Sequence, residues 1–265
     1  MWALNLAERY KIDPCNRTWL YNQKLKIADA LVYKKIRQTL GAENFDIVVS
    51  GAASIQPNIA AFFSAIKMPI FEGYGMTEAA PMITFTRPGR RKIGYTGDPL
   101  PNIEVKIADN GEICLKGDNV MQGYYKREEE TAQIIKDGWL HTGDLGYVNK
   151  YGCVHLYGRK DNLIVSYGGE NVYPEEIEAV LDARTYFTES LVIEDKGGLT
   201  ALVYPDFDQG AKDGMDQATF VKFIESMLPE VNKELPNYAK LKKIEVMSEA
   251  FERTPKKSIK RFLYK

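Results

Sequence analysis

The sequence contains little cysteine and histidine, and this scarcity excludes several kinds of site. Its cysteines, Cys15, Cys114 and Cys153, lie far apart with no CxxC spacing, and its two histidines are His141 and His155. A disulfide framework needs paired cysteines, and structural zinc needs clustered thiolates or imidazoles. We therefore expect free thiols in a reducing compartment and no zinc or histidine-based metal centre.

The sequence also lacks long apolar runs and an excess of charge of one sign. No run approaches the ~20 apolar residues of a membrane span, and the first dozen residues lack the basic start and apolar core of a signal peptide. The formal net charge of the 265 residues is −1, which gives no global field to attract nucleic acid. We expect a cytoplasmic protein without a membrane span or nucleic-acid partner, with peripheral membrane attachment as the alternative.

The first part of the chain alternates between helical and strand patterns. Apolar residues recur every three or four positions from residue 25 to 40, which predicts an amphipathic helix. Residues 45–49 predict a short buried strand, which runs into the small-residue turn Ser50 to Ala53. A helix from Pro57 and a second strand, residues 69–71, lead to Gly-Tyr-Gly-Met-Thr-Glu. In such α/β alternation, ligands bind at the carboxyl ends of strands.

The period changes to two in the middle of the chain. Residues 103–107 and 112–117 alternate around Asn110-Gly111, and a second hairpin turns near residues 149–152. Residues 127–136 predict a short helix. We therefore expect a small antiparallel β-subdomain near residues 93–157.

Mixed helix and strand patterns return after residue 160. The predicted elements are a strand at 162–166, a helix at 175–181 with acidic residues favouring its start, strands at 190–193 and 199–204, a helix at 216–228 and a basic tail from 237. The predicted fold class is α/β, with the first domain at residues 1–160 and a compact α+β domain at residues 161–265.

Two residues of opposite charge flank the second hairpin. Asp144 follows a Thr-Gly turn, and Arg159 lies in a Gly-Arg-Lys-Asp turn. The hairpin could bring both to one sheet edge, where a carboxylate accepts hydrogen bonds from a vicinal diol and a guanidinium donates to a neighbouring oxygen. This pattern suits a ribose, and a surface salt bridge is the alternative.

The Gly73 to Glu78 stretch has the composition of a phosphate and metal site. Glycines let a flat ring approach the backbone, Tyr74 and Thr77 can donate to phosphate, and Glu78 can hold Mg²⁺ beside it. A tight strand-to-loop turn is the alternative. The Gly168-Gly169 pair similarly indicates either a plain turn or a place where a narrow ligand passes the backbone.

In their order and spacing, several motifs together resemble the AMP-forming adenylating superfamily, which includes acyl-CoA synthetases, luciferases and adenylation domains. The motifs are SGAAS, GYGMTE, GEICLKG, GWLHTGD, GRKDNLI, GGENVYPEEIE and a basic carboxyl tail. The helix that leads directly into the SGAAS strand is most similar to long-chain fatty acyl-CoA synthetases. The resemblance covers nearly the whole chain from about residue 18.

The resemblance implies a role for each matching residue. The implied nucleotide-binding residues are Ser50, Gly51, Ala52, Ala53, Gly73, Tyr74, Gly75, Met76, Thr77, Asp144 and Arg159. Glu78 would bind Mg²⁺ and Asp161 would be the hinge of a mobile carboxyl-terminal lid. Gly168 and Gly169 would line the passage of CoA. The implied reaction joins a fatty acid to CoA through an acyl-adenylate, with ATP consumed and AMP released.

Two departures from the family pattern limit this reading. The phosphate loop of the type TSGTTGxPKG is absent, which predicts the carboxyl-terminal half of a synthetase that is not active alone. Ser258 stands at the expected catalytic lysine, so Lys257 and Lys260 are the candidates. A serine cannot supply the point charge of a lysine.

Three hypotheses stay open. The first is a portion of a long-chain fatty acid–CoA ligase, whose amino-terminal half is a partner if it is a separate chain. The second is a non-catalytic nucleotide-binding or regulatory module, and the third is a superfamily member that uses another carboxylate. Because part of the large domain would be missing, we also expect self-association through exposed apolar surfaces.

Overall fold

The chain divides into two compact units, Met1–Leu156 and Tyr157–Lys265. The computed structural model describes residues 1–42, 45, 47–53, 55–166, 168–195, 197–254 and 258–264. The domain boundary expected from the sequence, between residues 160 and 161, stays a prediction.

The first unit begins with a helical layer. Its helices are α1 (Trp2–Glu8), α2 (Trp19–Ala28), α3 (Lys34–Thr39) and α4 (Pro57–Ala65), and a π-helical turn, Asp29–Tyr33, joins α2 to α3. The helix expected from residue 25 onward is therefore present, but it starts earlier, where the Thr18 hydroxyl accepts a hydrogen bond from the Tyr21 amide. Tyr33 is fully buried and its hydroxyl donates to the Ala3 carbonyl at 2.7 Å, a long-range contact that helical periodicity does not signal.

A mixed sheet follows the helical layer. Its strands, in spatial order, are β1 (Val48–Ser50), β2 (Ile70–Gly75), β3 (Met82–Phe85) and β4 (Asp98–Pro99). The first pair is parallel and the next two are antiparallel. The prediction that residues 45–49 form a buried strand is wrong: Phe45, Ile47 and Val49 are each more than half exposed. β1 pairs with β2 along one edge and is therefore an edge strand of this sheet. The apolar residues here belong to an uncovered edge strand and not to a buried one.

The expected antiparallel β-subdomain is present in the first unit. It contains β5 (Ile103–Ile107), β6 (Glu112–Gly117), α5 (Glu128–Ile134), β7 (Ile135–Lys136), β8 (Trp139–Val148) and β9 (Val154–Arg159), the last of which continues into the second unit. Both predicted hairpin turns are confirmed, because β5 pairs antiparallel with β6 and the Asn149 amide donates to the Cys153 carbonyl. Ile113, Leu115 and Leu140 are fully buried between this sheet and β2.

The second unit is an α+β layer structure. Its elements are β10 (Ile164–Val165), β11 (Asn171–Val172), α6 (Pro174–Asp182), β12 (Phe187–Asp195), β13 (Gly198–Pro205), α7 (Phe207–Lys212), α8 (Gln217–Ser226), α9 (Leu228–Glu234) and β14 (Leu241–Val246). The sheet order is β12-β13-β14, with β13 and β14 parallel. The helices bury Leu181, Phe220 and Ile224 on one face of this sheet.

The basic tail predicted from residue 237 is not only a solvated segment. Its first part forms β14, whose Leu241 and Ile244 are buried in the core while Lys242 and Lys243 are exposed. Two lysines between the apolar positions obscure the alternation, and the partner strand β13 lies about forty residues earlier. Local patterning therefore does not reveal this strand.

Two absences apply to the described residues. None of their helices is long and apolar enough to cross a membrane. No group of three or more His, Cys, Asp or Glu side chains among them is arranged to hold a metal ion.

Candidate functional site

The carboxyl ends of β1 and β2 bring two of the predicted segments together. Ser50 lies opposite Glu72 in the parallel register, so the chain leaves β1 into the Gly51 to Ala53 turn beside the Gly73 to Gly75 end of β2. A Cβ at Gly51 would lie 3.4 Å from the Gly73 carbonyl oxygen. The residues from Ser50 to Ala53 and from Gly73 to Gly75 thus form one ledge at the strand ends, where α/β sheets bind ligands.

Gly75 is required by the way β2 ends. A Cβ at this position would collide with the Pro81 carbonyl, which accepts a hydrogen bond from the Met76 amide at 2.7 Å. A short 3₁₀ turn, Thr77–Ala79, follows, and Ala80 has a positive φ of 49°. The strand-to-loop turn left as an alternative is therefore present, and it leaves Thr77 exposed.

Tyr74 and Asp144 are joined directly. The Tyr74 ring is largely buried, and its hydroxyl donates to the Asp144 carboxylate at 2.7 Å. The two residues are 70 positions apart and come from different sheets of the first unit. Sequence spacing could not connect them, although each was singled out separately.

A buried carboxylate fixes the turn that carries Asp144. Glu112 Oε1 accepts a hydrogen bond from the Gly143 amide at 2.9 Å, and its Oε2 lies 3.3 Å from His141 Nδ1. Thr142 Oγ1 donates to the Ile113 carbonyl and accepts from the Asp144 amide. Sequence reasoning missed Glu112, whose signal is an acidic residue at the start of a strand whose next residues, Ile113 and Cys114, are buried.

Glu78 has a neighbour that the sequence did not suggest. Its Oε1 accepts a hydrogen bond from the Tyr124 hydroxyl at 2.8 Å, and its backbone carbonyl accepts from the Met121 amide. The hydrogen bond to Glu78 raises the pKa of Tyr124, because losing the phenol proton would place two negative charges together. A single carboxylate with a hydroxyl beside it suits Mg²⁺, which takes most of its ligands from phosphate and water.

The remaining predicted site residues lie in the second unit. Arg159 and Asp161 lie on either side of Lys160 at an exposed turn, whose 3₁₀ part is Lys160–Asn162. Gly168 and Gly169 lie in the tight connection between β10 and β11, where Gly169 has a φ of 85° and its amide donates to the Ser166 carbonyl.

The carboxyl-terminal segment contains the lysine candidates Lys257 and Lys260 and, between them, Ser258. Ser258 is exposed and its carbonyl accepts a hydrogen bond from the Thr254 amide at 2.8 Å. Lys260 Nζ lies 3.0 Å from Glu252 Oε2, so this lysine has a carboxylate partner within the second unit. Lys257 lies outside the described residues.

Two family models match most of the chain. The model described as AMP-binding enzyme matches residues 18–125, and the model described as AMP-binding enzyme C-terminal domain matches residues 161–264. The chain belongs to the AMP-binding enzyme family. The first model covers the ledge and Glu78, and the second begins at the exposed turn that carries Asp161.

Relatives of this AMP-binding enzyme are named as fatty-acid ligases. The long-chain-fatty-acid–CoA ligase FadD15 of Mycobacterium bovis is 36% identical over 176 residues, which are 66% of this chain and 29% of the relative. The long-chain-fatty-acid–CoA ligase ACSBG2 of Gallus gallus is 37% identical over 209 residues, which are 76% of this chain and 27% of the relative. The chain therefore spans less than a third of the length of these relatives.

Solved structures of adenylating enzymes have the same fold. ATP-bound MatB from Rhodopseudomonas palustris matches with a TM-score of 0.69 and 28% identity, over 90% of this chain and 48% of MatB. The o-succinylbenzoate CoA synthetase MenE from Bacillus subtilis, in complex with ATP and magnesium, matches with a TM-score of 0.70 and 28% identity, over 86% of this chain and 49% of MenE. The expected fold class, part of the large adenylating domain followed by a small α+β domain, is confirmed.

Proposed function

We propose that this chain is the carboxyl-terminal portion of a long-chain fatty acid–CoA ligase of the AMP-forming type. In the first half-reaction the fatty acid carboxylate attacks the α-phosphorus of ATP, giving acyl-adenylate and pyrophosphate. In the second, the CoA thiol attacks the acyl carbonyl, loses its proton and displaces AMP. Because the chain spans less than a third of its fatty-acid-ligase relatives, this activity belongs to a longer assembly and the chain is not expected to turn over alone.

The hydrogen bond between Tyr74 and Asp144 carries the proposal. It places a largely buried aromatic ring, near the carboxyl end of β2, beside a carboxylate of β8. The ring offers a face on which adenine stacks, and Asp144 Oδ1 and Oδ2 can accept from the two ribose hydroxyls. The Ser50 to Ala53 turn supplies backbone at the ledge, and Arg159 is a proposed donor to the ribose.

Glu78 is the proposed magnesium ligand beside the phosphates. Bound Mg²⁺ would neutralise charge on the phosphate oxygens during pyrophosphate departure. The chain contributes the Glu78 carboxylate, which the hydrogen bond from the Tyr124 hydroxyl orients. It also contributes the exposed Thr77 hydroxyl, which can donate to a phosphate oxygen.

The second unit is proposed to serve both half-reactions. Asp161 would be the hinge, and Gly168 with Gly169 would let the narrow pantetheine arm of CoA pass the backbone. Lys257 or Lys260 would supply the positive charge near the carboxylate and α-phosphate. Lys260 would first have to leave Glu252.

Long-chain fatty acids are the proposed acyl substrates because relatives bear that name. The amino-terminal half of a ligase is the proposed polypeptide partner if it exists as a separate chain. We propose a cytoplasmic location. Peripheral membrane attachment is the alternative, because an apolar substrate partitions into lipid.

A non-catalytic nucleotide-binding module is a second candidate. Ser258 stands where the family pattern has its lysine, and Lys260 is already paired with Glu252. In this case the ledge would bind AMP without supporting acyl-adenylate formation, even with the amino-terminal half added.

Isothermal titration of AMP and of Mg-ATP into this chain tests the nucleotide site. Asp144→Ala should abolish measurable binding, since the ribose loses both acceptors, while Tyr74→Phe should weaken it by about tenfold because a hydrogen bond to a charged group contributes ~1.5 kcal/mol. Asp137→Ala, in an exposed turn of the same sheet, is the matched control and should bind as wild type.

Absence of binding to the wild-type chain would mean that the proposed site is not assembled in this chain. If binding occurs, adding the amino-terminal half of a ligase with fatty acid and CoA separates the two candidates. Acyl-CoA formation favours the ligase, and AMP binding without acyl-adenylate favours the non-catalytic module.

A further inference from the structure

Helix α6 carries two carboxylates, Glu175 and Glu178, that are three residues apart in its first two turns, besides Glu176 and Asp182. Residues with this spacing lie on the same side of a helix. The acidic residues here are expected from the sequence to favour the helix start, and Glu175 and Glu176 lie in the first turn. Glu178 lies in the second turn and is buried, with 8% of its surface exposed.

Glu178 holds a partner from the end of the chain. Its Oε2 accepts a hydrogen bond from the Arg261 guanidinium, 83 positions away, and its Oε1 accepts from the Val192 amide at 2.7 Å. A buried carboxylate is tolerated only when paired and hydrogen-bonded, and removing its partner leaves an uncompensated charge. Arg261 therefore fastens the terminal segment, residues 258–264, to α6.

Glu175 holds a different segment, the hinge turn, residues 158–162. Its Oε1 accepts a hydrogen bond from Asn162 Nδ2 at 2.6 Å and a longer one from the Arg159 amide at 3.4 Å. A side chain at Gly158 would collide with the same carboxylate. The backbone of the hinge turn is thus packed directly against Glu175.

Arg261 also reaches the second carboxylate. Its Nη2 lies 3.9 Å from Glu175 Oε1, in addition to its hydrogen bond with Glu178. A planar guanidinium can serve two carboxylates at once, which an ammonium point charge does less well. One side chain of the terminal segment therefore lies against both Glu175 and Glu178.

We propose that Glu175, Glu178 and Arg261 are positioning residues that couple the hinge turn to the terminal segment through α6. The hinge turn carries Arg159 and Asp161, and the terminal segment carries Lys260. A functional consequence, which rests on the proposed function, is that the ribose donor, the hinge and the lysine-bearing segment keep a fixed relation when the second unit moves.

Hydrogen exchange measured by mass spectrometry, on this chain without nucleotide at pH 8, tests the coupling. Glu178 is mostly ionised at this pH, since burial raises its pKa only to about 7. Arg261→Gln should speed exchange at least tenfold in the terminal segment and also in the hinge turn. Glu178→Gln, which preserves shape and the Val192 contact, should do the same to a smaller extent.

Arg184→Gln is the matched control. Arg184 is as shielded as Arg261 and also bridges two carboxylates, Glu230 and Glu234, within the same unit. Its loss should leave exchange in the hinge turn unchanged. Arg261→Lys should restore protection of the terminal segment but not of the hinge turn, because one point charge holds one carboxylate.

The proposal is overturned if Arg261→Gln opens the terminal segment alone, or neither segment, while circular dichroism shows the fold intact. If Arg261→Gln unfolds globally, the milder Glu178→Gln variant tests the proposal instead, and it must speed exchange in both segments. Because the exchange is measured without nucleotide, a negative result does not bear on the AMP-binding proposal. In the same way, a failed AMP titration does not bear on the coupling, which hydrogen exchange tests separately.

Discussion

The two units differ in how completely they cover their own apolar surface. In the second unit, helices α6, α8 and α9 cover one face of the sheet, and Phe251, Ile259 and Tyr264 pack on the other. In the first unit, large apolar side chains from α2 and the β1 edge are exposed, among them Trp19, Leu20 and Phe45. Burial of apolar surface drives folding, so the second unit is the more self-sufficient of the two.

This difference also separates the proposed chemistry. The first unit contributes Tyr74, Asp144 and Glu78, all fixed by contacts within that unit. The second contributes an exposed turn and a terminal segment, which α6 holds together. The ledge proposed to bind nucleotide is therefore built on the less covered unit, and the segments proposed to move are built on the better covered one.

The largest expected effect comes from damaging the core of the second unit. Phe220 is 2% exposed and lies edge-on to Tyr186 and Phe207. Phe220→Ala should lower the free energy of unfolding of this unit by about 3–5 kcal/mol, as for other buried aromatic truncations. Phe223→Ala, on the same helix but 39% exposed, is the control and should cost much less.

The location of the tryptophans allows the two units to be followed separately. Trp2, Trp19 and Trp139 all lie in the first unit, so their fluorescence reports that unit while far-ultraviolet circular dichroism reports both. In urea, Phe220→Ala should move the circular dichroism transition and leave the fluorescence transition in place. A fluorescence transition that moves equally would show that the second unit is not self-sufficient.

An intermediate effect is expected from pH. Burial raises the pKa of Glu178 to about 7, with the Arg261 charge acting against it, and burial raises the pKa of Asp182 to about 6. Between their ordinary values, 4.5 and 3.8, and these raised values, the folded unit holds protons that the unfolded chain has released. Stability from these groups is therefore greatest below about pH 4 and is lost as pH rises to about 7.

The measurement is urea unfolding followed by circular dichroism from pH 5 to pH 8. The free energy of unfolding of the second unit should fall by about 3 kcal/mol over this range, mostly because of Glu178. Glu178→Gln should reduce the dependence to the smaller part due to Asp182, because glutamine does not titrate. Glu176→Gln, on the exposed side of α6, should keep the wild-type slope. A wild-type stability that rises with pH would contradict the assignment.

The sequence predicted best where structure depends on neighbours along the chain. The β5–β6 hairpin follows from alternation around Asn110-Gly111, and its strand bounds agree with those expected. Helix α6 follows from Pro174 at its first position and the apolar spacing after it. In both cases the signal lies within about fifteen residues.

The sequence failed where a partner lies far along the chain. β14 is recognised only through β13, and Glu178 is buried only because Arg261 reaches it. Tyr74 and Asp144 were each chosen from the sequence, but their hydrogen bond, and the support that Glu112 gives to the Asp144 turn, depend on how two sheets pack. Motif resemblance predicted the site residues, and tertiary packing supplied the contacts between them.

The smallest expected effect tests the uncovered surface of the first unit. Trp19, Leu20, Ile27 and Leu31 are each more than half exposed and recur at helical spacing along α2 and the π-helical turn. Exposed apolar patches of this kind are usually buried by association, so the chain should self-associate at micromolar concentration. Replacing Ile27 and Leu31 together by lysine should raise the dissociation constant about tenfold, equivalent to ~1.4 kcal/mol.

Sedimentation velocity measures this change, with Tyr125→Lys as the control because Tyr125 is 87% exposed and lies away from α2. A wild-type chain that stays strictly monomeric would mean that the patch is tolerated in water. Association that is unaffected by the two lysines but weakened by Phe262→Lys would show that the associating apolar surface lies in the second unit. That result would reverse the contrast between the units, because the more closed core would then belong to the unit that carries the proposed nucleotide site.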